Sequence, residues 1–148
     1  MGFFDSLFKA QPVQITINDE REAFVSILYA CACADGYLSD DEIDELASFL
    51  STKDKFLRTS NAMPYIHKAR DNFKTLGGAK GLVEVAAKSI SADLRETTLF
   101  YAVDIILADG VVDPEEAKVL DFLKDALSVS EAQAQKITEV ALLKNKIR

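Results

Sequence analysis

The stretch ADGYLSDDEIDEL, residues 34–46, decides the fold, because a closely similar arrangement returns as ADGVVDPEEAKVL at residues 108–120. In each copy an Asp-Gly pair ends an apolar run, and an acidic segment opens an amphipathic run. A glycine in this place is typical of a helix that ends in the left-handed conformation. A side-chain acceptor followed three residues later by Glu is typical of a helix that begins. Each stretch therefore predicts a corner between two helices.

The repeat extends beyond the two corners. A shift of 74 positions aligns residues 21–49 with residues 95–123. Seven pairs are identical: Arg21/Arg95, Glu22/Glu96, Ala34/Ala108, Asp35/Asp109, Gly36/Gly110, Glu42/Glu116 and Leu46/Leu120. Each copy consists of a nearly all-apolar helix, a corner and an amphipathic helix, so the hairpin repeats cover about residues 21–50 and 95–124. These patterns predict an all-α fold, a bundle of seven to eight helices built from two hairpins related by a pseudo-twofold axis.

The ends of the helices follow from capping signals. Asn18 and Ser91 are predicted to cap the two apolar helices. These two helices should form the core. Ser130 and Gln133 fit a capping box at the start of the last helix. The other predicted helices cover roughly residues 53–59, 61–76 and 80–90, and the last reaches about residue 143. The only strand-like stretch, VQITI at residues 13–17, has no second strand to pair with.

Composition indicates one globular domain over residues 1–148, with 49% hydrophobic and 28% charged residues. No apolar run reaches the ~20 residues of a spanning helix, and the first residues lack the features of a secretory signal. The expected location is therefore the cytoplasm. A net charge of -7 argues against a nucleic-acid partner. Residues 53–88 carry a net charge of +5 and the remainder -12, which indicates either a dipolar surface or ordinary solvated helix faces.

Several residues with reactive side chains are assigned to structure. Cys31 and Cys33 are two positions apart on a helix, so they point about 200° apart and are predicted to pack in the core. Asp104 lies in an apolar helix and is predicted to meet a basic or hydroxyl group. His67, the only histidine, is predicted to lie on the surface. The chain carries none of the common catalytic or nucleotide-binding motifs, so it is not expected to be an enzyme.

The corners cannot be calcium loops of the EF-hand type. With Gly36 at the sixth loop position, the first and third ligand positions are Cys31 and Cys33, and in the second copy they are Ile105 and Leu107. Local helix capping nevertheless does not use all the acidic residues of the corners. Five of the six residues from 40 to 45 are Asp or Glu, and capping uses at most two. The remaining carboxylates require either solvent or a cation to disperse their charge, and the sequence allows both.

The doubled ADG corner, together with the amino-terminal MGFFDSLF, resembles the TerB-like tellurite-resistance family. The resemblance implies a helical bundle of two related halves that serves in a bacterial stress response. It also implies that acidic residues chelate a divalent metal ion, with calcium, magnesium, manganese and zinc all open. The matching positions are Asp35, Glu42, Asp109 and Glu116, followed by Asp41 and Glu115. The implied partners are an integral-membrane protein and calcium-binding stress-response proteins at the inner face of the membrane.

The amino terminus suggests an alternative role. Phe3, Phe4, Leu7 and Phe8 fall on one face of a short helix. That face is expected to dock on a partner or a membrane, or else on the protein's own surface. The alternative function is therefore a protein-protein adaptor at the inner membrane surface that needs no metal.

Overall fold

The structure is a computed structural model that describes residues 2–3, 15–108 and 110–147. Within these residues it contains eight α-helices, one 3-10 turn and no strand. The helices are α1 (Glu20–Ala32), α2 (Asp40–Ser51), α3 (Asp54–Leu57), α4 (Met63–Thr75), α5 (Ala79–Ala87), α6 (Arg95–Leu107), α7 (Pro114–Ala126) and α8 (Glu131–Lys144). The prediction of an all-α fold with seven to eight helices is confirmed.

Helix α1 is the centre of the bundle. All its residues from 22 to 31 are buried, and α4, α5, α6 and α7 pack around it. A helix that is apolar on nearly every side needs such surroundings. The second apolar helix, α6, packs against α1, α7 and α8, but Phe100 and Tyr101 on its outer side are only partly buried. Leu99 and Ile106 of α6 are buried in the core, as predicted, and Tyr101 packs against Phe49 of α2, with 5.6 Å between the ring centroids.

The two corners form as the sequence predicts. Gly36 and Gly110 have φ angles of +97° and +81°, a conformation that glycine adopts at little cost. After each corner the next helix begins with a complete capping box, formed by Ser39 with Glu42 in α2 and by Asp113 with Glu116 in α7. The doubled sequence pattern therefore corresponds to a doubled local structure.

Two predicted helix caps are wrong. Asp19, not Asn18, caps α1, because its Oδ1 accepts a hydrogen bond from the backbone N–H of Arg21 at 2.8 Å, and the Arg21 guanidinium also pairs with its Oδ2 at 3.0 Å. The Ser91 hydroxyl makes no capping bond, because a 3-10 turn separates it from α6. Instead the Ser91 N–H donates to Glu20 Oε2 at 2.8 Å, which joins the start of α1 to the approach to α6.

Polar contacts fix the remaining segments. Residues 15–17, the described part of the strand-like stretch, form no strand, and the Ile17 carbonyl accepts a hydrogen bond from the Ser89 hydroxyl. Ser130 caps α8 through the N–H of Gln133 at 3.2 Å. Asp104 is 6% exposed and meets a basic group as predicted, in this case Lys144 of α8.

Candidate functional site

The first corner uses its predicted site residues for local hydrogen bonds. Asp35 Oδ1 accepts from the N–H of Tyr37 at 3.2 Å, a common arrangement for Asp in a turn. Glu42 Oε1 accepts from the N–H of Ser39 at 3.2 Å, and the Ser39 hydroxyl accepts from the N–H of Glu42 at 3.2 Å. Asp41 is exposed on the first turn of α2. A carboxylate has about four acceptor positions, so a single capping bond does not exhaust the Glu42 side chain.

The second corner repeats this arrangement. Glu116 Oε1 accepts from the N–H of Asp113 at 3.1 Å, and Asp113 Oδ1 accepts from the N–H of Glu116 at 2.8 Å. Glu115 pairs with Lys118 on the same helix, with 3.2 Å between Nζ and Oε1. Asp109, the counterpart of Asp35, lies outside the described residues. Five of the six predicted ligands therefore lie within the described residues.

One cavity brings the two hairpins together. It has a volume of about 290 Å³ and lies where α2, α6, α7 and the end of α8 meet. Its ionisable and amide side chains are Glu42, Glu45, Asp104, Glu116, Lys144 and Asn145. We call it the dyad cavity, because Glu42 and Glu116 occupy equivalent positions of the repeat. With four carboxylates and one ammonium group, its side chains carry a formal net charge of -3.

Asp104 is the neutralised member of this set. Its Oδ2 lies 2.7 Å from the Lys144 ammonium, and its Oδ1 accepts from the Asn145 side-chain amide at 2.7 Å. A buried carboxylate requires such partners, since burial of an unpaired charge is costly. Asp104 thus ties α8 to α6, and the other carboxylates that line the dyad cavity are those of Glu42, Glu45 and Glu116.

The other predicted ligands lie elsewhere. Asp35 and Glu115 line a separate cavity of about 680 Å³, together with Lys74, Lys80 and Lys118. Three lysines balance the two acids there, so this cavity has no excess of negative charge. Asp41 lines neither of the two cavities. The predicted site residues therefore separate: Glu42 and Glu116 share the dyad cavity, while Asp35 and Glu115 share another.

Sequence reasoning did not select Glu45 and Asp104 as site residues, although both line the dyad cavity. Glu45 follows Glu42 by three positions in α2, so both lie on one helix face, and that spacing was available in the sequence. Asp104 was recognisable as a charge in an apolar helix. Its place in one cavity with the equivalent glutamates depends on the packing of α6 with α2 and α7, which the sequence pattern does not specify.

For a metal ion, the side chains that line the dyad cavity offer oxygen donors only, namely carboxylates and one side-chain amide. Within the described ranges 2–3, 15–108 and 110–147, no group of three or more His, Cys, Asp or Glu side chains is arranged to hold a metal ion. Magnesium commonly binds through only one or two carboxylates and keeps several waters, and calcium also takes oxygen ligands. Glu42 and Glu116 line the same cavity, so they are the candidate carboxylates for such binding.

The two cysteines line neither of these cavities. Both are buried, as predicted. Burial, followed by the nearby charge of Glu116, raises the pKa of the Cys31 thiol to about 12. Burial, followed by the charge of Asp35, raises the pKa of Cys33 to about 11. Both thiols are therefore protonated near neutral pH. His67 is exposed on α4, as predicted, and lines neither cavity.

Of the predicted amino-terminal face, the structure describes Phe3 alone. Phe3 is 73% exposed, while Phe4, Leu7 and Phe8 lie outside the described residues. None of the helices in the described part of the chain is both long and apolar enough to cross a bilayer. These observations leave the predicted docking of the amino terminus untested.

The fold and the site define a class: helical modules built on two equivalent, capped acidic corners. A family model, tellurite resistance protein TerB, matches residues 21–139, which cover both hairpins and most of α8. The chain therefore belongs to the TerB family, and the resemblance noted in the sequence is confirmed. Comparisons with curated proteins and with solved structures give no significant match.

Proposed function

We propose that this TerB-family chain is a non-enzymatic stress-response module that takes up a hydrated divalent cation in the dyad cavity. The observation that carries the proposal is that the capping glutamates of both hairpins, Glu42 and Glu116, line one cavity. Each glutamate is held in place by its own capping box. The cavity keeps a formal net charge of -3 after Lys144 is counted, so a divalent cation would relieve repulsion among its carboxylates.

The donor set favours hard cations. Zinc prefers nitrogen and sulfur ligands, and the dyad cavity presents carboxylates and one side-chain amide instead. Calcium, magnesium and manganese accept oxygen ligands together with water. We therefore expect calcium, magnesium and manganese to bind with weak to moderate affinity through carboxylate oxygens and water. Zinc also accepts carboxylate oxygens, so its response at the same residues is compared with theirs.

The direct test is a titration of the ¹⁵N-labelled chain with calcium, magnesium, manganese and zinc. The double variant Glu42→Gln with Glu116→Gln removes two charges, while Gln can still serve in a capping box. We expect saturable shifts of the amides around the dyad cavity in the natural chain and none in this variant. The matched control is Asp44→Asn with Asp121→Asn, which makes the same charge change on α2 and α7 at residues that do not line the cavity.

Two results would count against the dyad cavity. The first is an equal loss of binding in the control variant, which would mean that only the overall negative charge matters. The second is binding that is lost in Asp35→Asn with Asp109→Asn but survives in Glu42→Gln with Glu116→Gln. That pattern would place the cation at the Asp-Gly corners themselves.

The alternative function is an adaptor that binds a protein partner without metal. It is favoured by exposed apolar side chains in both corner loops, Tyr37 at 70% and Val111 at 72% exposure, which are equivalent positions of the repeat. Partners of the kind that the family resemblance implies are an integral-membrane protein and calcium-binding stress-response proteins, reached from the cytoplasm at the inner face of the membrane. Peripheral membrane contact through Phe3 and its neighbours belongs to the same alternative.

Deletion of residues 2–10 separates the two functions. The adaptor function predicts that membrane or partner association is lost with the deletion and is unchanged by a chelator. The metal function predicts that cation binding at the dyad cavity is the same with and without these residues. Association that requires the cation and not residues 2–10 would rule out the metal-free adaptor.

A further inference from the structure

A third cavity lies between α1, α3 and α6. We call it the aromatic cavity. It has a volume of about 230 Å³, and its walls include Phe24, Phe56 and Tyr101. The ring centroids of Phe24 and Phe56 are 5.4 Å apart, and those of Phe24 and Tyr101 are 5.9 Å apart, both in edge-to-face geometry. Such pairs are favourable and hold the rings in defined orientations, so the walls are pre-arranged.

The size of the aromatic cavity selects a small ligand. An apolar cavity of about 150 Å³ is known to hold benzene. At about 230 Å³, the aromatic cavity has room for one six-membered ring with a short substituent. Drug-sized ligands usually occupy pockets of about 300 to 1,000 Å³, so larger polycyclic molecules are too big.

The ammonium group of Lys53 lies at the edge of this cavity. Lys53 is partly exposed and lines the cavity. Its ammonium lies 4.5 Å from the centroid of the Tyr101 ring and 5.4 Å from that of Phe49. Among the residues that the structure describes, no carboxylate forms an ion pair with Lys53. The ammonium can therefore accept an anionic group without giving up an existing ion pair.

A buried hydroxyl in the wall also lacks a partner. Thr98 is 1% exposed and lines the aromatic cavity. Its Oγ1 makes no hydrogen bond to any described residue, although a helical Thr commonly bonds to the carbonyl four residues earlier. Buried polar atoms without partners are rare, and each one calls for an explanation. Oγ1 itself exposes almost no area, so a polar group of a ligand would supply the missing partner after a rotation of the Thr98 side chain toward the cavity.

From these three features we propose that the aromatic cavity binds a small monocyclic aromatic carboxylate. The ring packs against Phe24 and Phe56, the carboxylate pairs with the Lys53 ammonium, and Thr98 contributes a hydroxyl to the polar end of the ligand. This site is separate from the dyad cavity, so the proposal does not depend on cation binding.

Three probes separate the contributions of ring and charge. Phenylacetate carries both, phenylacetamide carries the ring without the charge, and acetate carries the charge without the ring. In NMR titrations of the full chain we expect saturable shifts at Phe24, Thr98 and Tyr101 with phenylacetate. Phenylacetamide should bind about tenfold more weakly, the usual worth of a charge-assisted hydrogen bond, and acetate should give no localised shifts.

Variants assign the charge preference to one residue. Lys53→Met keeps the apolar stem and should reduce phenylacetate binding to the level of phenylacetamide. Lys55→Met, a neighbouring exposed lysine that does not line the cavity, should bind phenylacetate as the natural chain does. Thr98→Val is nearly isosteric and should weaken phenylacetate binding several-fold while the acid remains preferred over the amide.

The proposal is overturned by equal binding of phenylacetate and phenylacetamide, or by equal losses in Lys53→Met and Lys55→Met. It is also overturned if deletion of residues 2–10 shifts the same amides while neither form responds to phenylacetate. That last outcome would assign the aromatic cavity to the chain's own amino-terminal segment.

Discussion

Replacement of Lys144 by Met tests the electrostatics of the dyad cavity in both stability and binding. Lys144 pairs with Asp104, which is 6% exposed, across 2.7 Å. Loss of one partner of a buried pair costs about 3 to 5 kcal/mol. Here the Lys144 side chain is 59% exposed, and Asn145 still donates to Asp104. We therefore expect Lys144→Met to lower the free energy of unfolding by about 2 kcal/mol, which is in the range of a hydrogen bond to a charged group. For a domain of this size that corresponds to a fall in Tm of about 4 to 8 °C.

The same substitution should strengthen cation binding. It changes the formal charge of the dyad cavity from -3 to -4. A unit charge about 8 Å from a divalent cation contributes about 1 kcal/mol even at the dielectric constant of water. We therefore expect Lys144→Met to lower the dissociation constant for calcium or magnesium about fivefold, and added cation to restore part of the lost Tm.

The assay is thermal unfolding with and without cation, combined with a calorimetric titration. Lys136→Met is the matched control, since Lys136 is exposed on the same helix and does not line the dyad cavity. The control should leave Tm within about 1 °C, as is usual for surface substitutions. A chain that is destabilised by Lys144→Met but binds cations no more tightly than the Lys136→Met control would refute this view of the dyad cavity.

Three further predictions concern the corners and the core. Ser39→Ala should lower the free energy of unfolding by about 1 kcal/mol in urea titrations, because it removes the cap of α2; an unchanged midpoint would show that the box is not formed. Gly36→Ala should destabilise by about 1 kcal/mol or more because φ is +97°, whereas Gly2→Ala, where an added Cβ meets nothing, should be neutral. Burial raises the pKa of Cys31 to about 12 and of Cys33 to about 11 from the ordinary 9.0, so both thiols stay protonated in the native state. The unfolded chain releases these protons first, and the free energy of unfolding should fall as pH rises above about 9; rapid native-state labelling of either thiol at pH 8 would contradict this.

The corners and the core were predictable from sequence because they depend on local chemistry. An αL glycine after an apolar run, and an acceptor with Glu three residues later, specify a corner within about ten residues of chain. The structure contains both corners and both capping boxes as expected. The continuous apolar run of the first copy likewise identified the central helix correctly. The cap at Asn18 was predicted wrongly because Asp19, one residue later, also forms an ion pair with Arg21, which capping preference alone does not include.

The arrangement of the candidate site was not predictable in the same way. The repeat groups Asp35 with Glu42 because they are close in sequence. In the structure Asp35 lines a cavity with Lys74, while Glu42 lines one with Glu116 of the other hairpin. Which side chains share a cavity is decided by the packing of helices distant in sequence, and periodicity carries no information about that packing. The aromatic cavity depends in the same way on three separate helices.

Paramagnetic relaxation by manganese tests the central claim most directly, namely that Glu42 and Glu116 of the two hairpins form one cation site. Amides that line the dyad cavity on both hairpins, such as those of Leu46 and Ile106, should broaden together with a single midpoint, and calcium or magnesium should reverse the broadening. Glu42→Gln alone should weaken the effect on both hairpins. Broadening of the two hairpins with separate midpoints, or broadening centred on Asp35 with the dyad cavity unaffected, would contradict the claim.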